Sequence, residues 1–296
     1  MNMNVAVVGT GTMGSVMMQH LVRQGHTVAV WNRTREHATA AIAAGGNWAD
    51  TPADASRMAD AVLVVLSGDE TVLDVLGRAD GVFSGCRPGT VVIDMSTTAA
   101  VTKRKAAAAA ARAGVEFLDA PFFGSLKEAE AGGLWPVVGG DPDVLARVSS
   151  MLDAFSDRIF HVGPVGAAAT VKLAGNLLVL SMVEHLAASL AMIEANDGDP
   201  KILLELLGIT GFRSPLYQAK GRQMVDGDFA PRGSVDTAIK DLGLIVAAAE
   251  AAGIPTAGLA DIRARYVKAR ELGGGELDMA SVITAEREHA SVAVHS

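Results

Sequence analysis

Short apolar runs alternate with longer amphipathic runs along the first half of the chain. From residue 3 to about residue 162, the short runs are rich in β-branched residues and the longer runs are rich in alanine. This alternation is typical of strand–helix–strand units that form a parallel sheet. The predicted strands cover residues 5–9, 27–31, 61–66, 90–94, 115–119 and 135–138. The first half of the chain is therefore predicted to be an α/β domain.

Some of the intervening helices carry start signals. Thr51 and Asp141 are each followed by a proline, which pairs a capping side chain with a residue suited to the first helical position. Six consecutive alanines at 106–111 favour a helix by propensity alone.

The second half of the chain has a helical pattern throughout. A Gly-Pro-Val-Gly turn at 163–166 leads into about thirty residues of nearly unbroken helical pattern. A further helix is predicted to begin at Asp199, before Pro200, and later helices are predicted at 235–252 and 256–272. The first of these helices is apolar around much of its circumference, so we expect it to be buried between domains or against a partner subunit.

Length, charge and cysteine content narrow the class of protein. A chain of 296 residues is long enough for two domains, and its formal net charge of −8 disfavours nucleic acid as a partner. No uninterrupted apolar run reaches the length of a membrane span, and no basic segment precedes the first strand. Because the single cysteine, Cys86, cannot form an intrachain disulfide, we expect a cytoplasmic protein with an inert thiol. The spacing of the histidines predicts no metal site.

A glycine-rich loop follows the first predicted strand at once. Gly9, Gly11 and Gly14 form a Gly-x-Gly-x-x-Gly motif, in which they permit a tight turn, a close approach to a pyrophosphate and close helix packing, respectively. Thr12 and Met13 begin the next helix, whose free N–H groups favour phosphates. We therefore predict a Rossmann-type, doubly wound dinucleotide-binding domain in residues 1–162 and an all-helical substrate and dimerisation domain in residues 163–296.

The end of the second strand indicates which dinucleotide binds. Asn32 stands where an NAD site usually has an acidic residue, so a 2′-phosphate would not be repelled. Arg33 and Thr34 can donate hydrogen bonds to that phosphate. The predicted cofactor is NADP(H). The alternative is that Arg33 and Arg35 are solvated charges at the start of a helix.

A lysine lies within an apolar helical run. Lys172 is surrounded in sequence by valine, leucine and alanine, and burial of an ammonium group is unfavourable unless the group is paired or neutralised. Asn176 lies four residues on and shares a helix face with it. Desolvation would lower the lysine pKa toward values useful for proton transfer. The alternative is a side chain that extends to solvent.

These motifs together resemble one enzyme family. Segments 119–125, 129–134, 166–176 and 240–242, with the glycine loop, occur in the order found in β-hydroxyacid dehydrogenases, which include 3-hydroxyisobutyrate dehydrogenases, tartronate semialdehyde reductases and glyoxylate/succinic semialdehyde reductases. The resemblance spans nearly the whole chain. It implies hydride transfer between NADPH and a small aldehyde acid or β-hydroxyacid. The apolar circumference of the first long helix predicts a homodimer or homotetramer.

The resemblance also implies roles for individual residues. Lys172 would be the general acid and base, and Asn176 would position Lys172 or the substrate. Lys240 would reach toward the cofactor, although an ion pair near Asp241 is the alternative. The nicotinamide and ribose would be lined by residues after the third and fourth predicted strands, namely Leu66, Ser67, Ser96 and Thr97. The alternative for the two serines is an ordinary structural role in a turn.

The chain departs from the family pattern where the substrate is expected to bind. Phe123, Gly124 and Ser125 occupy the positions of the family's Ser-Gly-Gly, so a hydroxyl is replaced by a phenyl ring. Backbone N–H groups and Ser125 are left as candidate anion binders. Gly175 replaces an asparagine, and Ala168 replaces a glycine. These replacements leave the substrate preference undetermined by the resemblance.

Two further functions are compatible with these residues. Related imine reductases share the Asn-Arg-Thr segment and often have apolar pockets, but they generally carry another residue in place of Lys172. Some relatives have become non-catalytic NADPH-binding scaffolds, and these usually lose the lysine. Retention of Lys172 favours the dehydrogenase over both.

Overall fold

The predicted alternation of strands and helices is present in the structure, a computed structural model that describes residues 2–294. The predicted domains also include residues 1, 295 and 296, which lie outside the described residues. The strands are β1 (Asn4–Val8), β2 (Thr27–Trp31), β3 (Asn47–Trp48), β4 (Ala61–Val64), β5 (Val91–Asp94), β6 (Glu116–Asp119), β7 (Phe122–Phe123), β8 (Trp135–Gly139) and β9 (Phe160–Gly163).

Helices connect the strands and then form the rest of the chain. Between the strands lie α1 (Thr12–Arg23), α2 (Thr39–Ala43), α3 (Pro52–Ser56), α4 (Asp69–Gly77), α5 (Val82–Gly85), α6 (Ala100–Arg112), α7 (Leu126–Glu130) and α8 (Pro142–Leu152), with a 3₁₀ segment at Arg35–Ala38. After the last strand come α9 (Ala167–Glu194), α10 (Pro200–Ile209), α11 (Pro215–Asp226), α12 (Val235–Ala251), α13 (Ala257–Ala269) and α14 (Ile283–Val294), with a π-helical segment at Arg270–Gly274 and a 3₁₀ segment at Met279–Val282.

The sheet is parallel over most of its width. Its strand order is β3-β2-β1-β4-β5-β6-β8-β7, and β9 pairs with β8. Strands β1 to β6 are parallel to one another, whereas β8 runs antiparallel to β6 and β7. The parallel sheet is confirmed, but β3, β7 and β9 were not predicted. The first two have only two residues, and β9 is largely exposed, so none shows the apolar pattern of a buried strand.

The central strands are buried on both faces, as expected for a parallel sheet covered by helices. Every residue of β4 and β5 is buried. On one face, Leu63 and Ile93 belong to an apolar cluster with Leu21 of α1. On the other, Val62 packs in a cluster with Leu76 of α4. This packing fixes the carboxyl ends of the strands at one edge of the sheet.

The predicted helix starts are confirmed by their capping hydrogen bonds. The side chain of Thr51 accepts from the N–H of Asp54, and that of Asp141 accepts from the N–H of Asp143. Asp199 likewise accepts from the N–H of Lys201. In each case the following proline occupies the first helical turn, where its missing N–H is tolerated.

The helical unit has its own core. Tyr266 of α13 is fully buried there, and its hydroxyl donates to the carbonyl of Leu180 in α9 over 3.1 Å. Burial raises the pKa of the Tyr266 hydroxyl, so it remains a donor. Helix α9 is long and apolar enough to cross a membrane by length and composition, a test that the core helix of a soluble protein also meets. Its residues Val183 and Leu190 belong to this core.

The chain divides into two compact units inside α9. The first extends to Lys172 and the second begins at Leu173, ten residues beyond the predicted boundary. The first turn of α9 belongs to the sheet-containing unit because the N–H groups of Gly166 and Ala169 donate to Asp119 at the end of β6.

Candidate active site

The glycine loop connects β1 to α1 in a geometry that requires glycine at two positions. Gly9 has a φ of 102°, and a side chain there would clash with the carbonyl oxygen of Val65. A side chain at Gly14 would clash with the carbonyl oxygen of Gly9. A Cβ atom at Gly11 would instead meet nothing within 4 Å. Gly9 and Gly14 are thus needed by the fold. Gly11 instead leaves space in front of the helix that begins at Thr12 and Met13.

A cleft of about 480 Å³ lies at the carboxyl ends of the strands beside this loop. Its lining includes Gly9, Gly11, Trp31, Asn32, Arg33, Thr34, Leu66, Ser67 and Arg78. A cleft in this place, with open space at Gly11, fits a dinucleotide.

The residues after β2 have distinct environments. Asn32 accepts a hydrogen bond from the N–H of Thr10 over 3.2 Å and donates to the carbonyl of Thr34 over 2.8 Å. These contacts fix its amide at the mouth of the cleft. Arg33 is exposed and lines the cleft, whereas the guanidinium of Arg35 lies 5.2 Å from the ring centre of Trp48.

The loops after β4 and β5 are joined by a buried serine. The hydroxyl of Ser96 accepts from the N–H of Leu66 over 2.9 Å, and its own N–H donates to Asp94. Ser96 is therefore a structural residue of the loops, while Ser67 lines the cleft and Thr97 is half-buried.

Lys172 lies beside two phenyl rings. Its Nζ atom is 4.5 Å from the ring centre of Phe123 and 6.0 Å from that of Phe122. Aromatic faces at such distances attract a cation. Lys172 is half-buried, so its ammonium group is shielded on the side of the rings without being sealed from solvent. Phe123 thus contacts the very lysine that the sequence singles out.

The predicted anion-binding segment already contains a carboxylate. Both the N–H and the hydroxyl of Ser125 donate to Glu128, over 2.7 and 2.5 Å. Hydrogen bonds from Ser125 lower the pKa of the Glu128 carboxyl, which is therefore ionised at neutral pH. Gly124 has a φ of 113°, a conformation that favours glycine. An acid group of a substrate would have to compete with Glu128 for Ser125.

Two further predicted residues meet in the helical unit. Asn176 donates to the carboxylate of Asp241 over 2.8 Å, and Lys240 forms an ion pair with the same carboxylate, also over 2.8 Å. Asp241 is almost completely buried. It therefore joins the two residues that the sequence assigned to positioning and to the cofactor.

A buried ion cluster was not predicted from the sequence. Lys103 in α6 is fully buried, and its Nζ lies 2.8 Å from Asp94 and 3.5 Å from Asp119. A signal was available, because Lys103 precedes the buried Ala106 and Ala110 by three and seven residues, which places it on the buried face of the helix. Burial raises the pKa of the Asp119 carboxyl above its ordinary value, against the opposing effect of Lys103.

The remaining reactive side chains have structural environments. Burial raises the pKa of the Cys86 thiol to about 11, so it is protonated at neutral pH. His26 accepts from the N–H of Met3, and burial lowers its pKa. Within the part of the chain that the structure describes, no group of three or more metal-ligating side chains is suitably placed for a metal ion.

Comparisons with known families agree with this architecture. Residues 4–163 match the NAD-binding domain of 6-phosphogluconate dehydrogenase, and residues 166–285 match the NAD-binding domain of NADP-dependent 3-hydroxyisobutyrate dehydrogenase. The chain belongs to the β-hydroxyacid dehydrogenase family. It is accordingly an oxidoreductase that acts on CH–OH groups with a nicotinamide cofactor.

Individual relatives are similar over their whole length. The chain is 30% identical to 2-(hydroxymethyl)glutarate dehydrogenase of Eubacterium barkeri, with 99% of this chain and 98% of the relative covered. It is also 30% identical to glyoxylate/succinic semialdehyde reductase 1 of Arabidopsis thaliana, with 96% and 98% covered. The solved structure of 3-hydroxyisobutyrate dehydrogenase from Mycobacterium tuberculosis superposes with a TM-score of 0.88 at 27% identity, covering 97% of this chain and 100% of that one.

Proposed function

We propose that this β-hydroxyacid dehydrogenase transfers hydride between NADPH and a small aldehyde acid or β-hydroxyacid, with Lys172 as the general acid and base. The observation that carries the proposal is the position of Lys172, half-buried with its Nζ 4.5 Å from the ring of Phe123. A cation held against aromatic rings is available as a proton donor without being fully hydrated.

The neutral side chain of Asn32 and the exposed guanidinium of Arg33 support NADPH as the cofactor. Asn32 carries no charge that would repel a 2′-phosphate, and Arg33 lines the cleft where it can donate charge-assisted hydrogen bonds. Thr34 offers a hydroxyl beside it. Bound NADPH supplies the hydride.

The proton is handled by the chain itself. In the reducing direction, Nζ of Lys172 stabilises the developing alkoxide and donates a proton to it. In the oxidising direction, the same atom accepts the alcohol proton. Asn176 is oriented by its hydrogen bond to Asp241, and Lys240 balances the charge of that carboxylate. These three residues would position the reacting groups rather than transfer the proton.

Strand β7 and the loop after it would influence which acids are accepted. Phe123 provides an apolar wall beside Lys172, and Glu128 occupies the donors of Ser125. An aldehyde acid would therefore gain less from this loop than from one with free donors. A cyclic imine, which needs no carboxylate site, is the second candidate substrate because the pocket wall is phenyl.

The principal experiment compares Lys172→Ala with the unaltered protein. We expect turnover to fall by about 10²- to 10⁴-fold, because a general acid contributes rate increases of that order. NADPH affinity, measured by nicotinamide fluorescence, should be nearly unchanged. Loss of NADPH binding with proportionate loss of turnover would assign Lys172 to the cofactor instead.

A substrate panel separates the candidate functions. Succinic semialdehyde, glyoxylate, methylmalonate semialdehyde, tartronate semialdehyde and a cyclic imine would each be followed by NADPH absorbance. Turnover of an aldehyde acid supports the proposal, and turnover of the imine alone supports an imine reductase. Binding of NADPH with no turnover of any compound supports a non-catalytic scaffold.

We also propose a cytoplasmic homodimer or homotetramer that requires neither a membrane nor a nucleic acid. Large apolar side chains are exposed on the helical unit, including Leu178, Ile209 and Phe212, and their burial against a partner subunit would be favourable. The net charge of −8 is unfavourable for nucleic acid. Light scattering would give the mass in solution, and a monomer at micromolar concentration would refute self-association.

A further inference from the structure

Three fully buried charges lie at the carboxyl edge of the sheet, and proton transfer as proposed above does not use them. Nζ of Lys103 is 2.8 Å from Oδ2 of Asp94 and 3.5 Å from Oδ1 of Asp119. It also donates to the carbonyls of Asp94 and Ser96, over 2.9 and 2.8 Å. We call Asp94, Lys103 and Asp119 the buried triad.

Such a cluster is not explained by stability alone. Removing charges from water is unfavourable, and apolar residues of similar volume are often equally stabilising in a core. We therefore look for the role of the triad in the backbone segments that its carboxylates bind.

Asp119 holds the beginning of the long helix α9. Its Oδ2 atom accepts from the N–H groups of Gly166 and Ala169, each over 3.0 Å. The first N–H groups of a helix have no partner within the helix, so a buried carboxylate is a strong ligand for them. Lys172 follows Ala169 by three residues, about one helical turn.

Asp119 also begins the segment that contacts Lys172 from the other side. Phe122 and Phe123, whose rings lie against Nζ of Lys172, follow Asp119 after only two intervening residues. The same carboxylate thus fixes the backbone of the helix that carries the lysine and the start of the segment that carries the rings.

We propose that Asp119, held by Lys103, is the positioning residue for Lys172. The proposal rests on the proposed function, because it assumes that Lys172 transfers the proton. Oδ1 of Asp119 lies 3.5 Å from the ammonium group of Lys103, and Oδ2 accepts from the N–H groups of Gly166 and Ala169, so a donor group on either side would be unfavourable. An asparagine has only one acceptor oxygen and cannot satisfy both sides.

The test uses two matched variants, Asp119→Asn and Asp94→Asn. Both residues are fully buried and both pair with Lys103. The second oxygen of Asp94, however, accepts from the N–H of Ser96 instead of from α9. The pair therefore separates loss of a buried charge from loss of the contact with α9.

We expect Asp119→Asn to lower kcat by about 10- to 100-fold, since small displacements of catalytic groups have effects of that size. The dissociation constant of NADPH should change by less than about twofold, because the glycine loop and Arg33 are untouched. Hydrogen exchange in segment 164–172 should become faster. Asp94→Asn should leave this exchange slow and should affect the KM for NADPH more than kcat, because Ser96 holds the loop at Leu66.

A double variant identifies the residue through which Asp119 acts. In the Lys172→Ala background, Asp119→Asn should reduce kcat no further. An independent additional loss would overturn the positioning role. If Lys172→Ala alone leaves kcat unchanged, the proposed function fails instead, so the two failures are distinguishable.

A second variant addresses the same contact if Asp119→Asn does not fold. Gly166 has a φ of 95°, and a methyl group there would press on the side chain of Arg104 and the carbonyl of Ala100. Gly166→Ala would displace the N–H that Asp119 accepts while the triad stays intact. We expect the same selective fall in kcat, and an unchanged kcat would overturn the proposal.

Discussion

The glycine loop and the buried triad both shape the carboxyl edge of the sheet, but they are built in different ways. Gly9, Gly11 and Gly14 lie within six consecutive positions, and their function depends on the backbone geometry of that short segment. The triad brings together residues 94, 103 and 119, which belong to three different elements. A local motif can be recognised in sequence, whereas a cluster of this kind exists only once the sheet and α6 have packed.

The largest expected effect would come from breaking the triad. Lys103→Met leaves two buried carboxylates without a counter-ion, which should lower the free energy of unfolding by about 3–5 kcal/mol. Lys105→Met, two residues on and exposed, should change it by less than about 0.5 kcal/mol. Urea denaturation followed by circular dichroism measures both. Equal stability of the two variants would contradict the view that Lys103 neutralises the cluster.

A smaller effect should distinguish the glycines of the loop. Gly14→Ala forces a methyl group against the carbonyl of Gly9, so both stability and NADPH affinity should fall, the former by about 1–3 kcal/mol. Gly11→Ala meets no neighbour, so the protein should keep its stability while NADPH binding weakens. Thermal unfolding and fluorescence titration give the two quantities. Loss of stability without loss of affinity in Gly11→Ala would show that this face of the loop is not the phosphate site.

The smallest effect should be a change in cofactor preference. Arg33→Ala removes an exposed guanidinium from the cleft, and we expect the ratio of NADPH to NADH affinity to fall about tenfold, or about 1.4 kcal/mol. Arg35→Ala is the matched control, because that guanidinium stacks on Trp48. Titration with both cofactors provides the ratio. A similar change in both variants would indicate general charge attraction instead of recognition by Arg33.

Much of the fold was predictable because its signals are local. The strands that begin near residues 5, 27, 61 and 91 are largely buried and rich in β-branched residues. The capped helix starts at Thr51, Asp141 and Asp199 depend only on neighbouring residues. β7 was not predicted, because two residues carry no periodicity. Its position beside β8 depends on pairing between distant segments.

For the candidate site, the sequence predicted individual residues but not the contacts between them, because those contacts join distant segments. The sequence placed Phe123 in the expected substrate segment but did not indicate its contact with Lys172. It offered Ser125 as an anion binder, whereas the structure gives both donors of Ser125 to Glu128. It named Asn176 and Lys240 separately, and the fold joins them through Asp241.

The sequence alone determined the order of strands and helices, the glycine loop and the chemical identity of the lysine in α9. These follow from periodicity, from backbone freedom and from side-chain type, all of which act over a few neighbouring residues. Only the tertiary structure decided that Lys103 lies between two aspartates, that Asp119 accepts hydrogen bonds from N–H groups at the start of α9 and that phenyl rings lie beside Lys172. Those arrangements depend on which distant segments share a low-dielectric interior, where a charge is stable only beside its partners.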